Sequence, residues 1–117
     1  MPSPVPPEQR DLFNESFFEY GSRAGVWRLL DLLDRYQAPS TFFCCALALE
    51  RNPEAARAIA ARGHEVCGHG YKWEEYHSME REQERESIRK TVESLTRTTG
   101  QRPVGWFTRF SASVNTR

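Results

Sequence analysis

Two short stretches carry residue types suited to chemistry: Gly68-His69-Gly-Tyr-Lys-Trp-Glu-Glu-Tyr-His77 and Trp106-Phe-Thr-Arg109. His69 lies between two glycines, which let the backbone turn sharply and a ligand approach closely, and an imidazole there suits a general base or a metal ligand. A histidine that only caps a loop by hydrogen bonding explains the same spacing. His77 follows with Glu74 and Glu75 in between, so a His/carboxylate/His cluster would hold zinc if the loop folded back. A solvated loop leading into an acidic helix accounts for those residues equally. Arg109 has the chemistry to stabilise an oxyanion or hold a carboxylate, against a plain surface charge. Tyr71, Trp73 and Trp106 are candidates to wall a substrate pocket, against core packing. Cys67 shares a strand face with His69 and reads as a small buried filler rather than a ligand. His64, just past Gly63, reads as structural.

Elements must hold these residues in place. Val26, Leu29, Leu30 and Leu33 recur at the spacing of an amphipathic helix that starts near Ser22 and ends near Tyr36. Gln37-Ala-Pro-Ser40 breaks it, and Thr41-Phe-Phe-Cys-Cys-Ala46 is an apolar run that predicts a strand buried on both faces. Asn52-Pro53-Glu54 supplies an N-cap, a first-turn proline and a first-turn acid for a helix that reaches Arg62 and stops at Gly63. His64 to His69 reads as a second strand, and Ser78 to Thr99 as a third helix closed by Gly100. In that helix Ile88, Val92 and Leu95 form the expected core stripe, with Glu86–Lys90 and Glu93–Arg97 as surface ion pairs and the run from Glu80 to Arg89 as a solvated face. Arg102 to Phe107 is the third strand candidate. Helix, strand, helix, strand, helix, strand is the order of βαβ units on a parallel sheet. In such sheets functional residues gather at the carboxyl ends of the strands, where both stretches fall, so His69 and Arg109 are expected to converge.

The chain has 117 residues, where a β/α barrel usually needs about 250. We therefore expect an irregular, proline-rich lead-in over 1–20 and a partial domain over 21–117, cut at both ends. Hydrophobic residues make up 38% and charged residues 27%, so the chain should fold despite a mean hydropathy of -0.70. Sixteen basic and sixteen acidic residues balance. That argues against nucleic acid or an anionic membrane as partner and for a small or neutral substrate. The start lacks the features of a signal peptide and no run is long enough to span a membrane, so a cytoplasmic protein is expected. Cys44, Cys45 and Cys67 are odd in number and ill placed for a disulfide framework, which predicts reduced thiols.

Glu19-Tyr-Gly-Ser-Arg-Ala-Gly-Val-Trp-Arg-Leu-Leu30, Ala48-Leu-Glu-Arg-Asn-Pro-Glu-Ala-Ala56, Gly63-His-Glu-Val66, His69-Gly-Tyr-Lys-Trp73 and Arg102-Pro-Val-Gly-Trp106 together resemble the polysaccharide deacetylase, or NodB-homology, family. Its branch of deacetylase-like allantoinases matches best. The resemblance implies a distorted (β/α) barrel and hydrolysis of a non-peptide C–N bond, either an N-acetyl group on an amino sugar or a small cyclic amide. It also implies a divalent metal, zinc, held by two histidines of one motif. His69 matches the first of these, whereas the second position, four residues on, is Trp73, which cannot ligate zinc; His77 is the remaining candidate. The family's acidic first-strand motif has no match before Phe13, and its later strands have none before Arg117. Hydrolase and noncatalytic remnant are therefore both open, the latter pairing its strand edges with another chain, a second copy included.

Overall fold

A computed structural model describes residues 19–73 and 78–108. A π-helical turn, Gly21–Gly25, runs directly into helix α1, Val26–Arg35. Strand β1 is Thr41–Cys44, followed by the short helix α2, Ala46–Glu50, and by α3, Pro53–Ala61. Strand β2 is Glu65–Gly68, and the long helix α4 is Arg81–Thr99. β1 and β2 are parallel, with Thr41 opposite Glu65 and Cys44 opposite Gly68. The expected third strand is reduced to a single parallel bridge, in which Gly68 pairs with Trp106. Pro103 carries no N–H and helps keep the ladder that short.

The helix boundaries follow from local chemistry. Asn52 caps α3 by accepting from the Ala55 N–H, and Pro53 takes the first turn, as the sequence predicts. Helix α4 begins later than expected, because Glu80 and Gln83 form a reciprocal capping box, and Gly100 closes it at φ +78°. The predicted strand Thr41–Ala46 ends early: Cys45 is still extended, but Ala46-Leu-Ala-Leu-Glu50 are strong helix formers and turn into α2.

The core lies on one face of the sheet. Leu30, Ala46, Leu49, Ala56, Ile59, Val66 and Leu95 are buried together with Cys44, and Trp27 and Phe42 pack against them. On the opposite face Phe43 is 56% exposed, so β1 is covered on one side among the described residues, not on both. Two helical stripes also differ from expectation. In α1, Leu29 is 45% exposed while Trp27 turns inward, where the Arg62 guanidinium covers its ring and reaches Asp31 at 2.8 Å and Asp34 at 3.0 Å. In α4, Leu95 is buried but its companions are Thr91, Ser94 and Thr99. The surface pairs regroup as well: Arg89 lies between Glu86 and Glu93, and Arg97 reaches across to Glu50.

His64 is buried and accepts the Ser40 N–H at Nδ1 over 3.1 Å, with its ring edge-on to Phe42. It is structural, as read from the sequence. The two leucines of α1 separate by experiment. Leu30→Ala should lower unfolding free energy by about 2–5 kcal/mol in urea denaturation, whereas Leu29→Ala should stay within about 1 kcal/mol.

Candidate active site at the carboxyl edge of the sheet

The ladder carries β2 straight into His69. The His69 N–H donates to Cys44 O at 3.0 Å, so the backbone stays in register one residue past the strand. Gly68 holds the third segment by two hydrogen bonds, donating to Gly105 O and accepting from Phe107 N–H, each 2.9 Å. A side chain at Gly68 is excluded, since a Cβ there would meet Trp106 Cε3 at 2.6 Å. Trp106 therefore seats its ring over Gly68, and Phe107 arrives beside His69.

The result is a steered imidazole. His69 Nδ1 lies 2.5 Å from Phe107 O. A carbonyl only accepts, so Nδ1 carries the proton and, in the neutral ring, Nε2 keeps its lone pair free for a proton or a ligand. Phe43 and Phe107 stack at 4.8 Å, and His69 stands 6.2 Å from Phe43 and 6.0 Å from Phe107, so the imidazole edges an apolar aromatic platform.

The other candidates are distributed differently. Tyr71, expected at the substrate, turns into the helix layer: its hydroxyl donates to Glu50 Oε2 at 2.6 Å, and the Lys90 ammonium sits 3.9 Å from its ring centre. Glu50 also accepts from Ser94 at 3.0 Å and from Arg97 at 2.8 Å. Its hydrogen bond from Tyr71, then those charges and Ser94, hold the Glu50 carboxyl below its ordinary pKa of 4.5, while the same bond raises the Tyr71 phenol. Trp73 is 49% exposed and borders a shallow hollow with Cys45 and Lys72. Trp106 packs on Gly68. His77 and Arg109 lie outside the described residues, so the convergence of His69 with Arg109 reaches here only as far as Phe107. Sequence reasoning missed Phe43, Phe107 and Glu50. The apolar run 41–46 hid the alternation that places Phe43 on the open face, and Glu50 has no local pattern to betray its partners.

Among the described residues no three His, Cys, Asp or Glu side chains converge as a metal site requires. Cys67 is buried beside Gly105, and burial raises its thiol pKa, with Glu65 adding to the shift; Cys44, buried and near Cys45 and Cys67, is pushed up to about 12. Both thiols stay protonated at neutral pH, and Cys67 is a filler, as read from the sequence. None of Cys44, Cys45 and Cys67 is in a disulfide. No described helix is long and apolar enough to cross a membrane.

Parallel β/α units with a steered histidine at the carboxyl edge define this chain as part of a (β/α) barrel of the NodB type. It belongs to the polysaccharide deacetylase family, whose model matches residues 15–116. The fold is similar to the crystal structure of Puue allantoinase, with a TM-score of 0.80 and 47% identity over 86% of this chain and 33% of that one. It is equally similar to a probable polysaccharide deacetylase from Pseudomonas aeruginosa PAO1, with a TM-score of 0.80 and 54% identity over 85% of this chain and 33% of the other. A peptidoglycan deacetylase from Helicobacter pylori is 34% identical over 74% of this chain and 30% of its own length. A relative from Schizosaccharomyces pombe is 38% identical over the full chain, which spans 37% of that relative. The chain thus spans about a third of the length of the proteins it matches.

Gly68→Ala should destabilise the chain by about 1–3 kcal/mol, an overpacking penalty, and shift the Trp106 indole resonance; unchanged stability would mean the Trp106 ring yields freely. Acid unfolding checks Glu50. With its folded pKa depressed, Glu50 contributes stability above its ordinary value of 4.5 that is lost as pH falls through the lower folded value. Glu50→Gln should therefore flatten the stability curve below about pH 4.5.

Proposed function

We propose that the chain is the histidine-bearing portion of a hydrolase of non-peptide C–N bonds, acting on N-acetylated amino sugars or on a small cyclic amide. The observation that carries this is the His69 imidazole, its Nδ1 proton directed at Phe107 O and its Nε2 without a hydrogen-bond partner among the described residues, at the carboxyl edge of a parallel sheet. In the reaction Nε2 takes a proton from water as that water attacks the amide carbonyl, and returns it to the departing nitrogen. Arg109 supplies charge for the developing oxyanion. Trp73 and the Phe43–Phe107 platform offer apolar surface to the substrate, and the substrate is the only partner the balanced charge calls for, with neither nucleic acid nor membrane.

No described carboxylate hydrogen-bonds to His69, so a carboxylate that pairs with it in the reaction lies outside the described residues. A chimera tests this directly. With residues 15–116 of this chain replacing the matching segment of Puue allantoinase, the folded product should hydrolyse allantoin, and His69→Ala should lower kcat/KM by roughly 10²–10⁴-fold. A folded chimera without turnover, on allantoin or on acetylated amino-sugar oligomers, with or without added zinc, would sink the proposal.

The exposed Phe43 and Phe107 favour one second reading, a noncatalytic module whose open sheet face meets another chain or a second copy. Sedimentation across a concentration series distinguishes it: a stable dimer hidden from solvent at that face supports the module.

A further inference from the structure

The segment that follows His69 is tied down along its whole length. Its three carbonyls each have a partner in or just before α2: His69 O faces Cys45 Sγ at 3.5 Å, Gly70 O accepts from Ala46 N–H at 3.0 Å, and Tyr71 O accepts from Leu47 N–H at 2.8 Å. Between His69 and Tyr71 the backbone passes through Gly70 at φ +95°, a left-handed conformation that glycine enters and leaves cheaply. A hinge of that kind one residue from a functional ring needs a stop. Tyr71 is placed to be that stop, with its hydroxyl on Glu50 at the far end of α2 and its ring under Lys90 of α4. Glu50 is itself held from the other side by Ser94 and Arg97 of α4.

We infer that Glu50 and Tyr71 form a latch across the helix layer that fixes the Gly70 hinge and so holds the His69 imidazole against the Phe107 carbonyl. The latch gives Tyr71 a positioning role in place of contact with substrate. Neither side chain touches the His69 ring; both act through the backbone of residues 69–71. The Glu50 carboxyl is held ionised, largely by the Tyr71 hydrogen bond, and the phenol is held protonated, so the latch is closed across the neutral range.

The inference rests on His69 being the functional ring, but its readout needs no turnover, so it survives or fails separately from the hydrolase reading. Tyr71→Phe keeps the ring beneath Lys90 and removes only the hydroxyl. In nitrogen-15 spectra of the 117-residue chain, His69 should be mainly the Nδ1–H tautomer in the unmodified protein and a mixture of tautomers in Tyr71→Phe. The Ala46 and Leu47 amides should exchange about threefold to tenfold faster, as expected for weakening by roughly one hydrogen bond. Glu50→Ala should reproduce both effects, and Glu50→Gln, which still accepts from the phenol, should restore most of the tautomer preference. His64 serves as the internal control, and its signals should not move. Faster exchange with an unaltered His69 tautomer would reduce the latch to a merely structural contact and overturn the inference, as would no change in either quantity. If the chimera with Puue allantoinase is active, Tyr71→Phe in it should lower kcat with little effect on KM.

Discussion

Everything at the functional edge depends on the pair of backbone hydrogen bonds that Gly68 exchanges with the segment around Trp106. Parallel pairing is slanted and extends only as far as both chains stay extended. Here a single bridge suffices, because the absent side chain at Gly68 lets the Trp106 ring close over it and seal the register. The position of Phe107 follows, and with it both the carbonyl that selects the His69 tautomer and the ring that stacks on Phe43. The tautomer of the imidazole is thus set by strand geometry.

Much of the frame was legible in the sequence because it is written locally. Asn52-Pro53 and Gly63 bracket α3, Gly100 ends α4, and the parallel β/α order follows from the succession of patterns. The family was legible too, from several motifs in the right order, and residues 15–116 match its model. What stayed hidden involves partners distant in sequence. Leu29 and Trp27 exchange roles because Arg62, at the end of another helix, covers the indole. Arg97 bypasses Glu93 for Glu50, 47 residues away, since a carboxylate that also accepts from Tyr71 and Ser94 forms a partly shielded network. No helical periodicity records such a contact. The reach of β1 was overread for a related reason: an apolar run does not distinguish a strand from the first turn of a helix.

The exposed aromatic platform belongs to the same geometry. In a closed barrel the alternate residues of every strand point to the interior, and Thr41, Phe43 and Glu65 occupy those alternate positions here. Phe43 and Phe107 are therefore two interior side chains seen from outside, which is why both are half exposed while Phe42 and Val66, facing the helices, are covered. His69 stands at the rim of that surface, as a residue serving a barrel mouth would.

Helix α4 carries a consequence of another kind. Its buried stripe is rich in hydroxyls, and Thr91 and Thr99 each donate to a carbonyl one turn earlier, to Ser87 O and Leu95 O, at 2.7 Å. Such a bond travels with the helix, whether docked or free, so burying these side chains strips no donor of its partner. The longest described helix can consequently leave the sheet and return while baring little more apolar surface from its fully covered stripe than Leu95. A ribosome releasing this sequence, or a cell holding it half folded, meets in α4 a surface that is easy to keep in solution.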